Sequence, residues 1–300
     1  MDYQYILIDV KDRIATVTIN RPEYSNAFAR ESYYEIADAM NTLGARDDVG
    51  VIVITGAGKH FSAGGDIKRF KMLVDTKTYL KAEDIEAVSA MPISIRNCPK
   101  PVIAMINGVA TGAGLSCALA CDFRIVEPSS KMIMAFVNMG LCGDNESIYT
   151  LTRLLGPDKA ELMMMTGDAY KGEQCVKIGL ATVLAEDGKL AETTYALAAK
   201  LAAKSSTAHA SQKRLIRKYF YGDMEKFAKD EGMEIAANSR QPDFTEAVNA
   251  FIEKRMPVTI RINQISKKRP LHLQEAFFAT QPLVFWLRSL TSQLNLISLL

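Results

Sequence analysis

Polar and apolar residues alternate from Ile14 to Asn20, with Ile14, Thr16, Thr18 and Asn20 on one side and Ala15, Val17 and Ile19 on the other. That period of two predicts a strand, and Tyr5–Val10 before it reads as another. Lys11-Asp12-Arg13 is then a hairpin connection, and the Arg21-Pro22 step ends the second strand. The period changes in Arg30–Leu43, where Tyr33, Ile36, Ala37, Met40 and Leu43 recur at helical spacing before Gly44. Val51–Thr55 and Pro101–Ile106 are short apolar runs of the kind expected in strands buried on both faces. A helical region is predicted from about Thr78 to Arg96. Gly108–Cys121 begins as a glycine-rich turn and becomes a helix of small residues, and Asp122–Val126 is again a strand. After Met139 the pattern predicts helices at 145–155, 158–166, 189–203, 207–219, 223–239 and 243–255, with Leu180–Leu184 as the one short strand among them. Strand followed by helix in consecutive units predicts an α/β core, and the spacing of the first half suggests successive ββα turns. The helical second half reads as a cap or an oligomerisation region.

Composition narrows the class without changing this picture. The chain has 300 residues, 48% hydrophobic and 23% charged, enough apolar material for a sizeable core. Its formal charge of +2 excludes a global basic field for nucleic acid. The balance is uneven: from Val258 to the end, Arg261, Lys267, Lys268, Arg269 and Arg288 stand against Glu275 alone, together with the single Trp286. Residues 258–300 therefore read as an atypical extension, dispensable for chemistry, and the body carries a slight acidic excess. Five cysteines, an odd number without a C-x-x-C pair, argue for a reduced cytoplasmic setting rather than a disulfide framework. His60, His209 and His272 have no ligand spacing to one another, so no metal site is expected. The N-terminus has no signal-peptide pattern, and polar residues interrupt the apolar C-terminal stretch, so no membrane span is expected.

Two loops carry candidate chemistry. Phe61-Ser62-Ala63-Gly64-Gly65-Asp66-Ile67-Lys68 has small residues that let a ligand approach the main chain, with Asp66 placed to cap a helix. Asn107-Gly108-Val109-Ala110-Thr111-Gly112-Ala113-Gly114 follows a strand and opens a helix, so its amides point outward with the helix dipole behind them. Neither contains G-x-G-x-x-G or G-K-[ST], which excludes the dinucleotide fingerprint and the P-loop. Each loop alone is equally consistent with tight strand–turn–helix packing.

Together, and in order, these segments resemble the crotonase (enoyl-CoA hydratase/isomerase) superfamily over roughly residues 5–257. The matching residues are Arg21-Pro22 with Asn26-Ala27-Phe28, FSAGGDI, KPVIAMINGVATGAG, Cys121-Asp122, Leu151-Thr152-Arg153-Leu154-Leu155-Gly156 and FIEKRMP. The resemblance implies an α/β fold, a crotonase-like spiral of ββα turns with a C-terminal α-helical trimerisation region. It implies a spiral core over 1–195, a helical trimerisation region over 196–257 and a homotrimer or a hexamer made of two trimers. It further implies an acyl-CoA thioester as substrate, with coenzyme A part of that substrate and no separate cofactor. The motif places an oxyanion hole on the amides of Gly65 and Ala113. It places coenzyme A along Ser25, Ala27, Ala63, Asp66 and Ile67, with Lys254 near a phosphate.

The reaction depends on the acids. Hydratases of this family use two glutamates, and the corresponding positions here are Ser116 and Phe136, neither of which is a carboxylate base. Asp144, four residues after Gly140, occupies the place of the single acid in several family isomerases. It also reads as an N-cap for the predicted 145–155 helix, and Glu146 as a second candidate acid or a first-turn acid favoured by the dipole. The same run resembles aryl-CoA dehalogenases, but their histidine position falls on Ile93. Cys142 lies near enough in sequence to line an acyl pocket with Ser116 and Phe136. The expectation is a Δ3,Δ2-enoyl-CoA or related isomerase. The alternatives are a hydratase or hydrolase with a non-standard water-activating pair, and a non-catalytic acyl-CoA-binding scaffold.

Overall fold

The structure, a computed structural model, describes residues 3–258. Strands β1 (Ile6–Lys11) and β2 (Ile14–Ile19) pair antiparallel, with Lys11 opposite Ile14. The two residues between them, Asp12 and Arg13, have φ of 50° and 64°. A two-residue hairpin needs positive φ at both positions to match the right-handed twist of its strands, so this backbone is the turn the strands require. A 3-10 turn at Pro22–Tyr24 leads to α1 (Arg30–Ala45), then β3 (Val51–Gly56) and α2 (Ile67–Asp75). The predicted 78–96 helix is divided into α3 (Ala82–Val88) and α4 (Ala90–Asn97) at the buried Ser89. There follow β4 (Val102–Ile106), β5 (Val109–Thr111), α5 (Ala113–Ala120), β6 (Phe123–Val126) and β7 (Lys131–Ile133).

A 3-10 turn at Ala135–Met139 precedes α6 (Ser147–Leu155) and α7 (Pro157–Thr166). Then come β8 (Ala169–Lys171), α8 (Gly172–Ile178), β9 (Val183–Leu184), α9 (Leu190–Ala202), α10 (Ser206–Phe220) and α11 (Met224–Ser239). Residues up to Gln241 form one compact unit, and a second begins at Pro242, the first residue of α12 (Pro242–Ile252). A boundary between 195 and 196 falls inside the unbroken helix α9. Apart from Val258, the C-terminal extension lies outside the described residues.

The large sheet has the order β1-β2-β3-β4-β6-β9, parallel except at the β1 edge, and β5-β7-β8 form a second sheet. Successive ββα turns account for both. β4 joins the large sheet, β5 turns into the small one and α5 follows; β6, β7 and α6 repeat the sequence. β5, β7 and β8 are three-residue strands, too short to display a period in the sequence, so the strand expected at Leu180–Leu184, which is Val183–Leu184 in the structure, has β8 beside it in the chain's second half. Every residue of β3 is buried, as its unbroken apolar run predicts. Val51 and Val53 pack with Ile14, Ile103 and Ile125 under Ala198 and Ala202 of α9. Ala15, Val17 and Ile19 alternate to the opposite face of β2, which is covered by α1.

Candidate functional site

The two glycine-containing loops lie side by side. The Ser62 amide donates to the Val109 carbonyl (3.0 Å) and the Thr111 amide returns a bond to the Ser62 carbonyl (3.1 Å). The seam leaves no room for side chains. A Cβ on Gly64, which has φ +86°, would stand 2.6 Å from the Thr111 carbonyl oxygen and 3.2 Å from the Ala113 amide nitrogen. A Cβ on Gly114 would stand 2.6 Å from that of Ser62. Glycine at these points is therefore what brings the main chain of residues 64–65 against the start of α5. Ala113 is the first residue of α5, after Gly112 at φ 52°, ψ −128°. Its amide belongs to the first turn, where intrahelical acceptors are missing and the dipole favours negative charge.

The flanking residues brace the first loop. The buried Asn26 accepts from the Arg21 amide (2.9 Å) and donates to the carbonyls of Ala57 (2.8 Å) and His60 (2.6 Å). The Ser25 carbonyl accepts from the Ala63 amide at 2.9 Å. Arg21 donates to the Ala27 carbonyl (2.6 Å) and pairs with Asp66 (3.2 Å), its guanidinium 4.7 Å from the centre of the Tyr24 ring. Asp66 caps α2 as expected, accepting from the Lys68 amide at 3.0 Å, and Ile67 is the first residue of that helix. Ser25, Asp66 and Ile67 are half-buried and Ala63 is exposed, while Ala27 is buried.

Asp144 is not the cap of α6. That helix begins at Ser147, because Asn145 and Glu146 both adopt left-handed backbone, with φ of 55° and 53°. Glu146 takes the cap position without a capping side-chain bond, so it is not a first-turn acid either. The Asp144 carboxylate accepts the Asn145 amide at 2.7 Å. Its main-chain carbonyl accepts from the Ser116 hydroxyl (2.9 Å) and from the Ser147 amide (3.2 Å). Ser116 lies one turn after Ala113 on α5, so this bond ties the acid to the helix that presents the Ala113 amide. Burial pushes the Asp144 carboxyl up to about 6, against the opposing pull of the Asn145 amide and the Arg69 charge.

Burial pushes Glu146 further, to about 8; a hydrogen bond with Ser89 lowers it, and the charges of Asp144 and Glu225 raise it. Neither Glu146 oxygen has a well-aligned partner, nor does either side-chain polar atom of Asn145. Phe136 is buried in the 3-10 turn after β7. Cys142 is half-buried with its thiol pushed up to about 11 by burial, so it is a poor nucleophile at neutral pH. Lys254 is exposed and belongs to the second unit.

Three residues of this neighbourhood escaped sequence reasoning. Arg69, on α2, bears on Asp144 electrostatically, as does the buried Tyr33 of α1, whose phenol the Asp144 charge helps to raise. The third is Glu231 of α11, whose carboxylate accepts the Glu146 amide at 2.8 Å. It had a readable signal: Met224, Ala228, Glu231 and Ile235 share one face of the helix, so an acid interrupts an apolar stripe. Among the described residues, no group of three or more His, Cys, Asp or Glu is placed to hold a metal ion, and no helix is long and apolar enough to cross a membrane.

Comparison with known proteins bears on the same chain length. The sequence model of a family described as enoyl-CoA hydratase/isomerase matches residues 9–259. A trans-2-decenoyl-(acyl-carrier-protein) isomerase of Streptococcus mutans is 32% identical over 86% of this chain and 98% of its own. A crotonyl-CoA hydratase of Syntrophomonas wolfei is 29% identical over 89% of this chain and 100% of its own. The solved structure of an enoyl-CoA hydratase from Mycobacterium avium subsp. paratuberculosis superposes with a TM-score of 0.78 at 26% identity, covering 86% of this chain and 99% of that one.

Proposed function

The chain belongs to the enoyl-CoA hydratase/isomerase family, and from that premise we propose that it moves the double bond of a 3-enoyl-CoA to the 2-position with Asp144 as its single proton carrier. One observation carries the reading: Asp144, the acid in the single-acid position, is held through Ser116 to the helix that presents the Ala113 amide. In this reading the thioester carbonyl accepts the amides of Gly65 and Ala113. Asp144 removes a C2 proton, the negative charge moves onto the carbonyl oxygen, and the same acid returns the proton at C4. Preorganised amides facing a developing oxyanion lower the barrier by several kcal/mol, roughly 3–4 per donor in comparable sites. A carboxyl near 6 suits both halves of the cycle: it is mostly ionised at neutral pH, and it gives its proton back more readily than the dienolate's own carbon acid would.

Ser25, Ala27, Ala63, Asp66 and Ile67 would hold the pantetheine and adenine. Phe136, Ser116 and Cys142 would line the acyl end. No cofactor beyond the coenzyme A of the substrate enters this chemistry. A homotrimer accompanies the reading, supported by the exposed Leu215, Ile216, Tyr219 and Phe220 of α10. The five cysteines are all free thiols, which supports a reducing, cytoplasmic setting.

Ser116 and Phe136 argue against water addition, since neither can act as the base that activates water. The test is conversion of 3-enoyl-CoA to 2-enoyl-CoA in oxygen-18 water, with the acyl-carrier-protein thioester assayed beside it because the Streptococcus relative is named for that carrier. Double-bond migration without label incorporation supports isomerisation. Labelled product would assign a hydratase or hydrolase, and tight binding without turnover across a thioester panel would assign a scaffold.

A further inference from the structure

Glu231 is only 4% exposed, on the apolar face of α11, where a carboxyl is costly to bury. Its Oε2 accepts the amide of Glu146, 85 residues earlier, at 2.8 Å. That amide belongs to the second of two consecutive left-handed residues, Asn145 and Glu146. Neither is glycine, and such backbone persists only where its surroundings over-determine it. The turn has a purpose in the site: its first peptide group gives the Asn145 amide to the Asp144 carboxylate at 2.7 Å, which fixes where the carboxylate points, and the two left-handed residues carry the chain from that bond into α6. Three side chains hold the turn. Ser116 and Ser147 bond the main chain of Asp144 itself (2.9 and 3.2 Å). Glu231 bonds the far end, at Glu146, and does so from a helix outside the ββα spiral.

The geometry points to Glu231 as a positioning residue: by holding the Glu146 amide, it fixes the left-handed turn that aims the Asp144 carboxylate at the substrate. This rests on Asp144 being the base of the isomerisation proposed above. Glu231 touches no reacting atom. Its second oxygen has no partner, so the role requires only an acceptor at that reach and not the charge.

Two variants of the full chain separate acceptor from bulk. Glu231→Gln keeps a carbonyl oxygen of the same reach, and Glu231→Met keeps the length and helix propensity but has no acceptor. With a 3-enoyl-CoA, Glu231→Gln is expected to keep kcat within about threefold. Glu231→Met is expected to lose about 10- to 100-fold in kcat with KM changed by less than about twofold, the scale of a misaimed catalytic group. Glu231→Met leaves the buried Glu146 amide without its acceptor and should melt below Glu231→Gln, so kcat is compared at a temperature well below both transitions. An unchanged kcat in Glu231→Met, a Gln variant as slow as the Met variant, or a loss confined to KM overturns the assignment. Asp144→Asn is measured alongside. Full rate there overturns both this inference and the isomerase reading, whereas an inactive Asp144→Asn beside a fully active Glu231→Met overturns the positioning role alone. Should Glu231→Met not fold, amide hydrogen exchange of the native protein decides: protection of the Glu146 amide like that of α6 supports the role, and exchange at the rate of an open loop overturns it.

Discussion

The Ser116 hydroxyl donates to the main-chain carbonyl of Asp144 across 2.9 Å. At the position where the family resemblance puts a water-activating glutamate, the chain therefore has a tether for a different acid. Replacing Ser116 by Ala should cost about 1 kcal/mol of stability, the usual net worth of one hydrogen bond. Because the turn keeps its bonds to Ser147 and Glu231, kcat should fall only about three- to tenfold. Thermal denaturation and steady-state kinetics of the one variant check both figures.

Asp144→Asn is the sharper probe. It keeps the shape of the side chain and removes the proposed base, so kcat should fall by about 10²- to 10⁴-fold while acyl-CoA affinity stays near that of the native protein. Isothermal titration with a non-isomerisable 2-enoyl-CoA, beside the rate assay, separates the two effects.

The rate should also follow the ionisation of that acid. With the carboxyl near 6, kcat/KM should be flat above about pH 7 and fall about tenfold per unit below pH 6 as the base is protonated. A pH profile with an inhibitor-free 3-enoyl-CoA reads this directly, and a limb displaced below pH 4.5 would assign the base to an ordinary exposed carboxylate.

Fold stability should run the other way with pH. Asp144, Glu146 and Glu231 all have carboxyls raised by burial, the first two to about 6 and about 8. A carboxyl raised in the folded state stabilises the fold fully below its unfolded value, and that contribution is lost as pH rises through the folded value. The melting temperature should thus decline from about pH 5 to pH 9, each such group contributing at most about 1.4 kcal/mol per pH unit. Glu146→Gln should flatten the upper part of the decline, which differential scanning calorimetry across that range would record.

The seam between the two loops gives a prediction with a steric cause. Gly64→Ala places a Cβ 2.6 Å from the Thr111 carbonyl on a backbone with φ of +86°. Loss of about 1–3 kcal/mol of stability is expected from the backbone alone, together with loss of activity as residues 64–65 withdraw from α5. Gly156→Ala is the control: that glycine has φ +77° but nothing within 4 Å. It should share the backbone cost and spare the site.

The sequence displays the elements whose period is long enough to count. β2, α1 and β3 fall within two residues of their expected ends, and the two loops are identifiable from their small residues. The short strands β5, β7 and β8 offer no period, and their pairing is set by contacts between distant residues such as Ser62 and Ala110. Within the site, Asp144 was legible as a residue but not as a conformation. The two left-handed residues that follow it carry no glycine to announce them, so the pattern extended α6 two residues too far. Glu231 was hidden for a different reason: acids on helices usually face water, and only its place on an apolar stripe marks it out.

The tight seam at Gly64 and Gly114 has a thermal consequence. Where a methyl group finds no space between two loops, neither loop can shift without displacing β5 and the start of α5. The spacing of the amides at Gly65 and Ala113 is then set when the chain folds, not when a substrate arrives. Catalytic competence should accordingly survive heating for as long as the spiral does, and vanish in the same cooperative transition rather than in an earlier local loosening of its own.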